Sequence, residues 1–226
     1  MKKIAVALDG PAGAGKSTVA KEIAKKFGFV YVDTGAMYRA IAIKCINSNY
    51  DVSINKDEII NMLESTDVEI KYIDGSQHII LDGTDVTGEL RTENVSMVAS
   101  AVSAVKEVRL SLVELQRKLA EKSSVVMDGR DIGTYVLPNA ELKIFLTASP
   151  EERAKRRCLE YEQKGVSFDF EEVLKDITTR DYNDSHRAFA PLKQADDAIL
   201  INTDDMPFLE VVDMISSMIK EKVNVL

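Results

Sequence analysis

The chain has 226 residues, 29 basic and 37 acidic, for a formal charge of −8, with 45% apolar and 29% charged residues. That mix excludes an intrinsically disordered chain. The acidic balance also argues against a general nucleic-acid binder or a basic membrane-surface protein, while leaving room for a local basic pocket. The length suits one large domain, or a core with an insertion, and can bury a core without staples. Cys45 and Cys158 are the only cysteines, too few for a disulfide framework or a four-cysteine zinc site. They are expected to be reduced and buried, in a cytoplasmic protein.

Along the chain, Ile4–Leu8 is continuously apolar, as in a parallel strand covered on both faces. The run stops at Asp9, too short for the apolar core of a signal peptide, and no later stretch approaches the ~18 apolar residues of a membrane span. Lys16–Phe27 follows as an amphipathic helix, with Val19, Ala20, Ile23, Ala24 and Phe27 on one face. Phe29–Val32 reads as a second strand, and a helix carrying Met37, Ile41 and Cys45 starts at Thr34. Between about 65 and 90 the pattern changes to period two: Val68, Ile70 and Tyr72 alternate with polar residues, Asp74-Gly75 turns, Gln77–Leu81 returns, and Asp82-Gly83 leads into Thr84–Val86. This is a half-exposed antiparallel insertion.

Val125–Met127 and Leu142–Leu146 are further buried strands. Ser149-Pro150-Glu151-Glu152 is a capping box with proline at the first helical position, opening a helix to about Gln163 that Gly165 ends. Asp169 caps another helix, to about Ser185. Ile199–Ile201 is a fifth strand and Phe208–Lys222 a closing helix. Such alternation means an α/β fold with a mostly parallel sheet wrapped by helices.

Gly10-Pro11-Ala12-Gly13-Ala14-Gly15-Lys16-Ser17 matches G-x-x-x-x-G-K-[ST], between a buried strand and an amphipathic helix as that motif requires. The glycines let successive N–H groups face an anion, and the helix points its positive end at the phosphates. Lys16 is expected to reach the β- and γ-phosphates, and Ser17 to ligate Mg²⁺. The motif specifies nucleoside triphosphate binding but not the fate of the γ-phosphate.

The chain carries 19 lysines and 10 arginines, so the arginines stand out. Arg39 and Arg130 lie in loop motifs, Arg130 directly after a buried strand, where open α/β sheets bind ligands. Arg153, Arg156 and Arg157 share one helix, and Arg180, Asp184 and Arg187 share a face at i, i+4, i+7 spacing. Guanidinium groups fit phosphates bidentately, so several clusters point to two phosphorylated ligands, a donor and an acceptor. No nucleophile–base arrangement accompanies them, and His186 reads as a bystander. A phosphate monoester acceptor, largely dianionic at pH 7, needs no base; positioning and charge neutralisation suffice.

Gly10–Thr18, Asp33-Thr34-Gly35-Ala36-Met37-Tyr38-Arg39, Gly88-Glu89-Leu90-Arg91-Thr92, Asp128-Gly129-Arg130-Asp131-Ile132-Gly133 and Arg180–Pro191 occur in the order and spacing of the bacterial cytidylate kinases, which the chain resembles over nearly its whole length. The insertion and the short arginine-rich helix resemble that family too; adenylate kinases carry a longer lid and no such insertion. The resemblance implies one P-loop kinase domain, with a core at 1–33, 92–148 and 166–226, a monophosphate-binding region at 34–91 and a lid at about 149–165. It implies transfer of a phosphoryl group from ATP to CMP or dCMP, with Mg²⁺; nothing in the sequence demands a dimer, and a monomer is expected.

By position, the resemblance implies that Gly10–Thr18 hold the ATP phosphates and that Arg39, Arg130 and Arg187 grip the acceptor phosphate. Ser100, Arg109 and Asp131 would face the cytosine, and Arg180 and Asp184 the sugar. Arg153 and Arg157 would reach the transferring group from the lid. Thr34 stands where some relatives have serine, and Arg91 receives no role. The chemistry agrees on the base: cytosine offers an N4 amino donor that Asp131 accepts, whereas uracil presents an oxygen there.

Two other readings stay open on the residues alone. A kinase for a hydroxylated acceptor would want a base, for which Asp33 is the evident candidate; it is read instead as a carboxylate organising the Mg²⁺ site. A nucleotide switch would carry N-K-x-D, which Asn55-Lys56-Asp57-Glu58 imitates but ends in Glu; that segment is read as a helix cap.

Overall fold

The computed structural model describes residues 3–225, with side chains through residue 222. In chain order the elements are β1 (Ala5–Asp9), α1 (Lys16–Phe27), β2 (Val30–Asp33), α2 (Thr34–Asn47), α3 (Lys56–Leu63), β3 (Val68–Ile73), β4 (Ser76–Leu81), β5 (Thr84–Asp85), α4 (Glu93–Val102), α5 (Lys106–Lys122), β6 (Val125–Gly129), β7 (Leu142–Thr147), α6 (Pro150–Gln163), α7 (Phe170–His186), β8 (Ile199–Asn202) and α8 (Phe208–Val225). A 3-10 turn spans Thr87–Glu89 and a π-type turn spans Ile132–Val136. The chain divides into two compact units, one up to Tyr31 and from Ala120 onward, the other Val32–Leu119.

Five strands form one sheet in the order β2-β6-β1-β7-β8. β1 runs parallel to both β6 and β7, and β7 parallel to β8. With a neighbour on each side and helices on both faces, β1 has no solvent face; Val6, Ala7 and Leu8 are all at most 1% exposed. Burying such side chains stabilises by roughly 1.5–3 kcal/mol each for the larger ones. The surrounding core of the first unit is formed by Val19, Ile23, Ile144, Leu146, Val212 and Ile215 among others. The register sets Leu8 beside Asp128 and Asp9 beside Gly129, so two carboxylates end adjacent strands at the edge where open parallel sheets bind ligands.

In the second unit, Met37, Ile41, Ile59, Ile79, Val102 and Val108 build a separate core. The antiparallel sheet β3-β4-β5 pairs Val68 with Leu81 through Ile73 with Ser76. β4 contributes buried Ile79, Ile80 and Leu81, whereas Tyr72 and Ile73 of β3 are exposed. The antiparallel reading of 68–86 therefore holds, but burial in β4 runs over three successive residues instead of alternating.

Most expected elements recur within one or two residues. The polar ends differ: Asp9, Asp33, Asp128, Gly129, Thr147 and Asn202 continue their strands, because ladder bonds do not require apolar side chains. α4 and α5 have no counterpart among the elements expected from the sequence, although Val108, Leu112, Val113 and Gln116 are buried at helical spacing in α5. The capping box at α6 is only half formed. Ser149 Oγ accepts from Glu152 N at 3.3 Å, but Glu152 turns to Arg156, and Ser149 N donates to Asp204 Oδ1 at 2.6 Å. A stronger charged acceptor and a nearby guanidinium outcompete the reciprocal bond. Asn55 does precede α3 but makes no side-chain cap bond; its Oδ1 accepts from Asp51 N instead.

Candidate active site

The phosphate loop leaves β1 at Gly10, whose φ is +144°. A Cβ there would lie 1.9 Å from Leu146 O, so only glycine lets the loop leave the sheet beside β7. α1 begins after Gly15 with no side-chain cap, leaving its first N–H groups directed at the loop, as an anion site requires. Lys16 is 5% exposed and its Nζ donates to Pro11 O at 2.6 Å. Burial, then the Arg130 charge, pushes its pKa well below that of an ordinary lysine, against the pull of Asp128, Asp9 and Asp184. Ser17 Oγ donates to Asp128 Oδ2 at 2.7 Å.

Beyond β6 the chain turns sharply, and acids and arginines alternate. Arg130 Nε donates to Asp184 Oδ2 at 2.8 Å, and Arg187 Nη1 lies 3.9 Å from Asp184 Oδ1. Arg187 Nη2 in turn donates to Asp131 Oδ1 at 3.4 Å. Asp131 and Asp184 are buried. Burial alone would raise the Asp184 carboxyl, but Arg130, Arg180 and Arg187 outweigh it and hold its pKa below the usual range. Arg130, opposed by its own burial, keeps its proton more firmly because of Asp184 and Asp128.

Arg153 lies at the phosphate loop. It is 3% exposed, its Nη1 donates to Ala12 O at 3.0 Å, and its guanidinium makes a bidentate pair with Asp181 at 3.0 and 2.5 Å. Its Cβ sits against Gly13, where an added Cβ would come within 3.3 Å. Arg157, one turn further along α6, is exposed: it pairs with Glu160 at 3.0 Å and lies 5.0 Å over the Tyr161 ring. Arg156 bonds to Thr203. His186 stacks on Tyr182 and stays outside the cluster.

In the second unit, Asp33 caps α2 by accepting from Ala36 N at 3.0 Å and lies 3.9 Å from Arg39 Nη1. The carboxylate bonded to Ser17 is that of Asp128, while Asp33 Oδ1 serves the α2 cap and faces Arg39. Thr34 is buried at the start of α2. Arg109, 1% exposed, donates from Nη1 to Ser103 O at 3.1 Å and lies 5.3 Å over the Tyr38 ring. Ser100 is part-buried on α4, its carbonyl accepting from Ser103 Oγ at 2.8 Å.

Three residues were not singled out from the sequence. Asp9 accepts from Ile132 N at 2.8 Å and Gly133 N at 2.7 Å. Burial pushes its pKa up to about 6 despite those two bonds. Asp128 and Asp181 complete the set. For Asp9 and Asp128 a signal existed: each is a lone carboxylate ending an apolar parallel strand. Asp181 offered none beyond its place one residue after Arg180.

A parallel sheet that delivers a phosphate loop to its carboxyl edge, beside buried arginines, defines a P-loop nucleotide-binding protein of the kinase type. A sequence model of the cytidylate kinase family matches residues 6–221. A cytidylate kinase from Caldicellulosiruptor saccharolyticus is 54% identical over 95% of both chains. Those of Desulfitobacterium hafniense and Bacillus subtilis are 50% and 46% identical, over 98% of this chain and 95% and 98% of theirs. The chain belongs to the cytidylate kinase family.

Proposed function

We propose that the protein transfers the γ-phosphoryl group of ATP to CMP or dCMP, giving ADP and CDP or dCDP. Family membership supports the substrates, and the observation that carries the chemistry is the Asp131–Arg187–Asp184–Arg130 chain, following the strand whose Asp128 holds Ser17. Gly10–Thr18 cradle the ATP phosphates, with Lys16 neutralising charge on the transferring group. Arg130 and Arg187 take the acceptor phosphate, and Asp184, already between them, orients both and meets the sugar together with Arg180. Asp131 accepts from the cytosine amino group. Arg153 steadies the loop, and Arg157 swings from its Glu160 contact toward the transferring group when α6 acts as a lid. Thr34, Arg39, Ser100 and Arg109 are assigned to the acceptor on the family motifs alone.

Among the described residues no group of three or more His, Cys, Asp or Glu could hold a metal. The Ser17 hydroxyl and the Asp128 carboxylate are hard oxygen donors, the partial set that suits Mg²⁺ completed by substrate phosphates and water. These two residues would hold the ion, which when bound offsets charge on the β- and γ-phosphates. No base is needed for a dianionic acceptor, so the residues act by in-line positioning and charge neutralisation.

Among the described residues no helix is long and apolar enough to cross a membrane, and both cysteines are free and buried; we place the protein in the cytoplasm, acting as a monomer on small nucleotides. The test is ADP formation from ATP and Mg²⁺ with CMP, dCMP, UMP, dTMP, AMP and GMP separately. Turnover with CMP and dCMP and weak activity with UMP is expected. Equal rates on UMP would remove the role given to Asp131, and ADP release without any acceptor would make the protein an ATPase.

A further inference from the structure

The turn that carries Asp131 is capped from an unexpected place. Asp131 O accepts from Tyr135 N at 2.9 Å and Val136 N at 3.1 Å, which closes the π-type turn Ile132–Val136. The first amides of such a turn, those of Ile132 and Gly133, have no acceptor inside it. An aspartate at the head of a turn ordinarily serves them with its own side chain, most simply by bonding to the amide two residues on. Asp131 stands at that head and makes no side-chain cap bond. Both amides are taken by Asp9 instead, one per carboxylate oxygen, at 2.8 and 2.7 Å. The Asp131 carboxylate points to Arg187.

We propose that Asp9 is a positioning residue for acceptor specificity: by capping the 132–136 turn with both oxygens it keeps the Asp131 carboxylate out of the cap and available to the acceptor base. This rests on the role given above to Asp131. The clamp is buried, Asp9 being 4% exposed, so water cannot stand in for it at low cost. It is also tight: a Cβ on Gly133 would come 3.4 Å from Asp9 Oδ2 and 3.1 Å from Lys143 Cδ. Without Asp9 the two orphaned amides would recruit the carboxylate at the head of their own turn, that of Asp131, and the base would lose its partner.

The experiment compares wild type with Asp9→Ala, Asp131→Ala and the double variant, measuring kcat/KM for CMP and for UMP and the dissociation constant for ATP. Asp9→Ala is expected to lower kcat/KM for CMP on the order of 10²-fold, the scale of an ångström-sized misplacement. It should collapse the CMP-over-UMP ratio and leave ATP affinity unchanged. In the Asp131→Ala background, Asp9→Ala should cause no further loss of that ratio, since it acts through Asp131. Asp9→Asn, which keeps one acceptor oxygen in the same shape, should retain part of the ratio; it also serves if Asp9→Ala does not fold. A preserved ratio in Asp9→Ala and Asp9→Asn, with Asp131→Ala losing it, overturns the proposal while keeping Asp131 in its role. A preserved ratio in Asp131→Ala overturns that role and the proposal with it. Equal losses for both acceptors together with lost ATP binding would assign Asp9 to the phosphate loop instead, and so also overturn it.

Discussion

Ser17 Oγ meets Asp128 Oδ2 at 2.7 Å, joining the first turn of α1 to the end of β6 across 111 residues. The bond fixes the hydroxyl expected to ligate Mg²⁺ and places a carboxylate beside it. Asp128→Asn keeps the shape and removes the charge. It is expected to lower kcat about 10–100-fold, the usual scale for a residue that orients a metal ligand, and to raise the Mg²⁺ concentration giving half-maximal rate. An unchanged Mg²⁺ dependence would restrict Asp128 to a structural role.

Arg130 and Arg39 are predicted to separate by stability. Arg130→Ala removes the 2.8 Å bond to Asp184, whose side chain is 9% exposed, but leaves Arg187 at 3.9 Å, and is expected to cost about 1–3 kcal/mol. The Arg39–Asp33 contact is longer, at 3.9 Å, and more exposed, so Arg39→Ala should cost no more than about 1 kcal/mol. Both should raise KM for CMP or lower kcat with ATP binding nearly intact. Urea unfolding and acceptor kinetics on the two variants check this.

The two α6 arginines should also part. Arg153→Ala removes a buried bidentate pair and a bond to the phosphate loop, and is expected to cost about 1–3 kcal/mol as well as ATP affinity. Arg157→Ala touches only surface contacts and should change stability by less than about 0.5 kcal/mol, yet reduce kcat. Full activity in Arg157→Ala would leave that arginine on the surface of α6.

Asp9 gives a pH dependence of defined sign. Burial raises its native pKa from 3.8 to about 6, with Asp131 adding to the rise and Lys16 opposing it. Between these values the native state binds more protons than the unfolded chain, so stability falls as pH rises through the window. Relative to Asp9→Asn, the wild type should be more stable at pH 5 than at pH 7.5, by about 1 kcal/mol. Urea unfolding without nucleotide and with EDTA reads the difference; a difference independent of pH would return Asp9 to the ordinary carboxylate range.

Much of this protein is written locally. The phosphate loop is one contiguous motif, the turns at Asp74-Gly75 and Asp82-Gly83 are two-residue signals, and the apolar run Ile4–Leu8 announces a strand buried on both faces. Such features are set by backbone sterics and by the period of apolar residues, which neighbours along the chain determine. The partners of the charged groups are not local. Asp9 reaches Ile132 and Gly133, and Asp128 reaches Ser17, because the sheet places β1 between β6 and β7 and brings their ends to one edge; Arg153 finds Asp181 because α6 packs on α7. Asp33 illustrates the limit: its residue type suits a metal site as well as a helix cap, and its bond to Ala36 N shows only in the fold. Local sterics and hydropathy along the chain specify most of the elements, α4 and α5 excepted, and the kind of ligand. Tertiary structure alone decided which carboxylate serves which donor, since a charge pairs with whatever the folded backbone brings within about 3 Å of it.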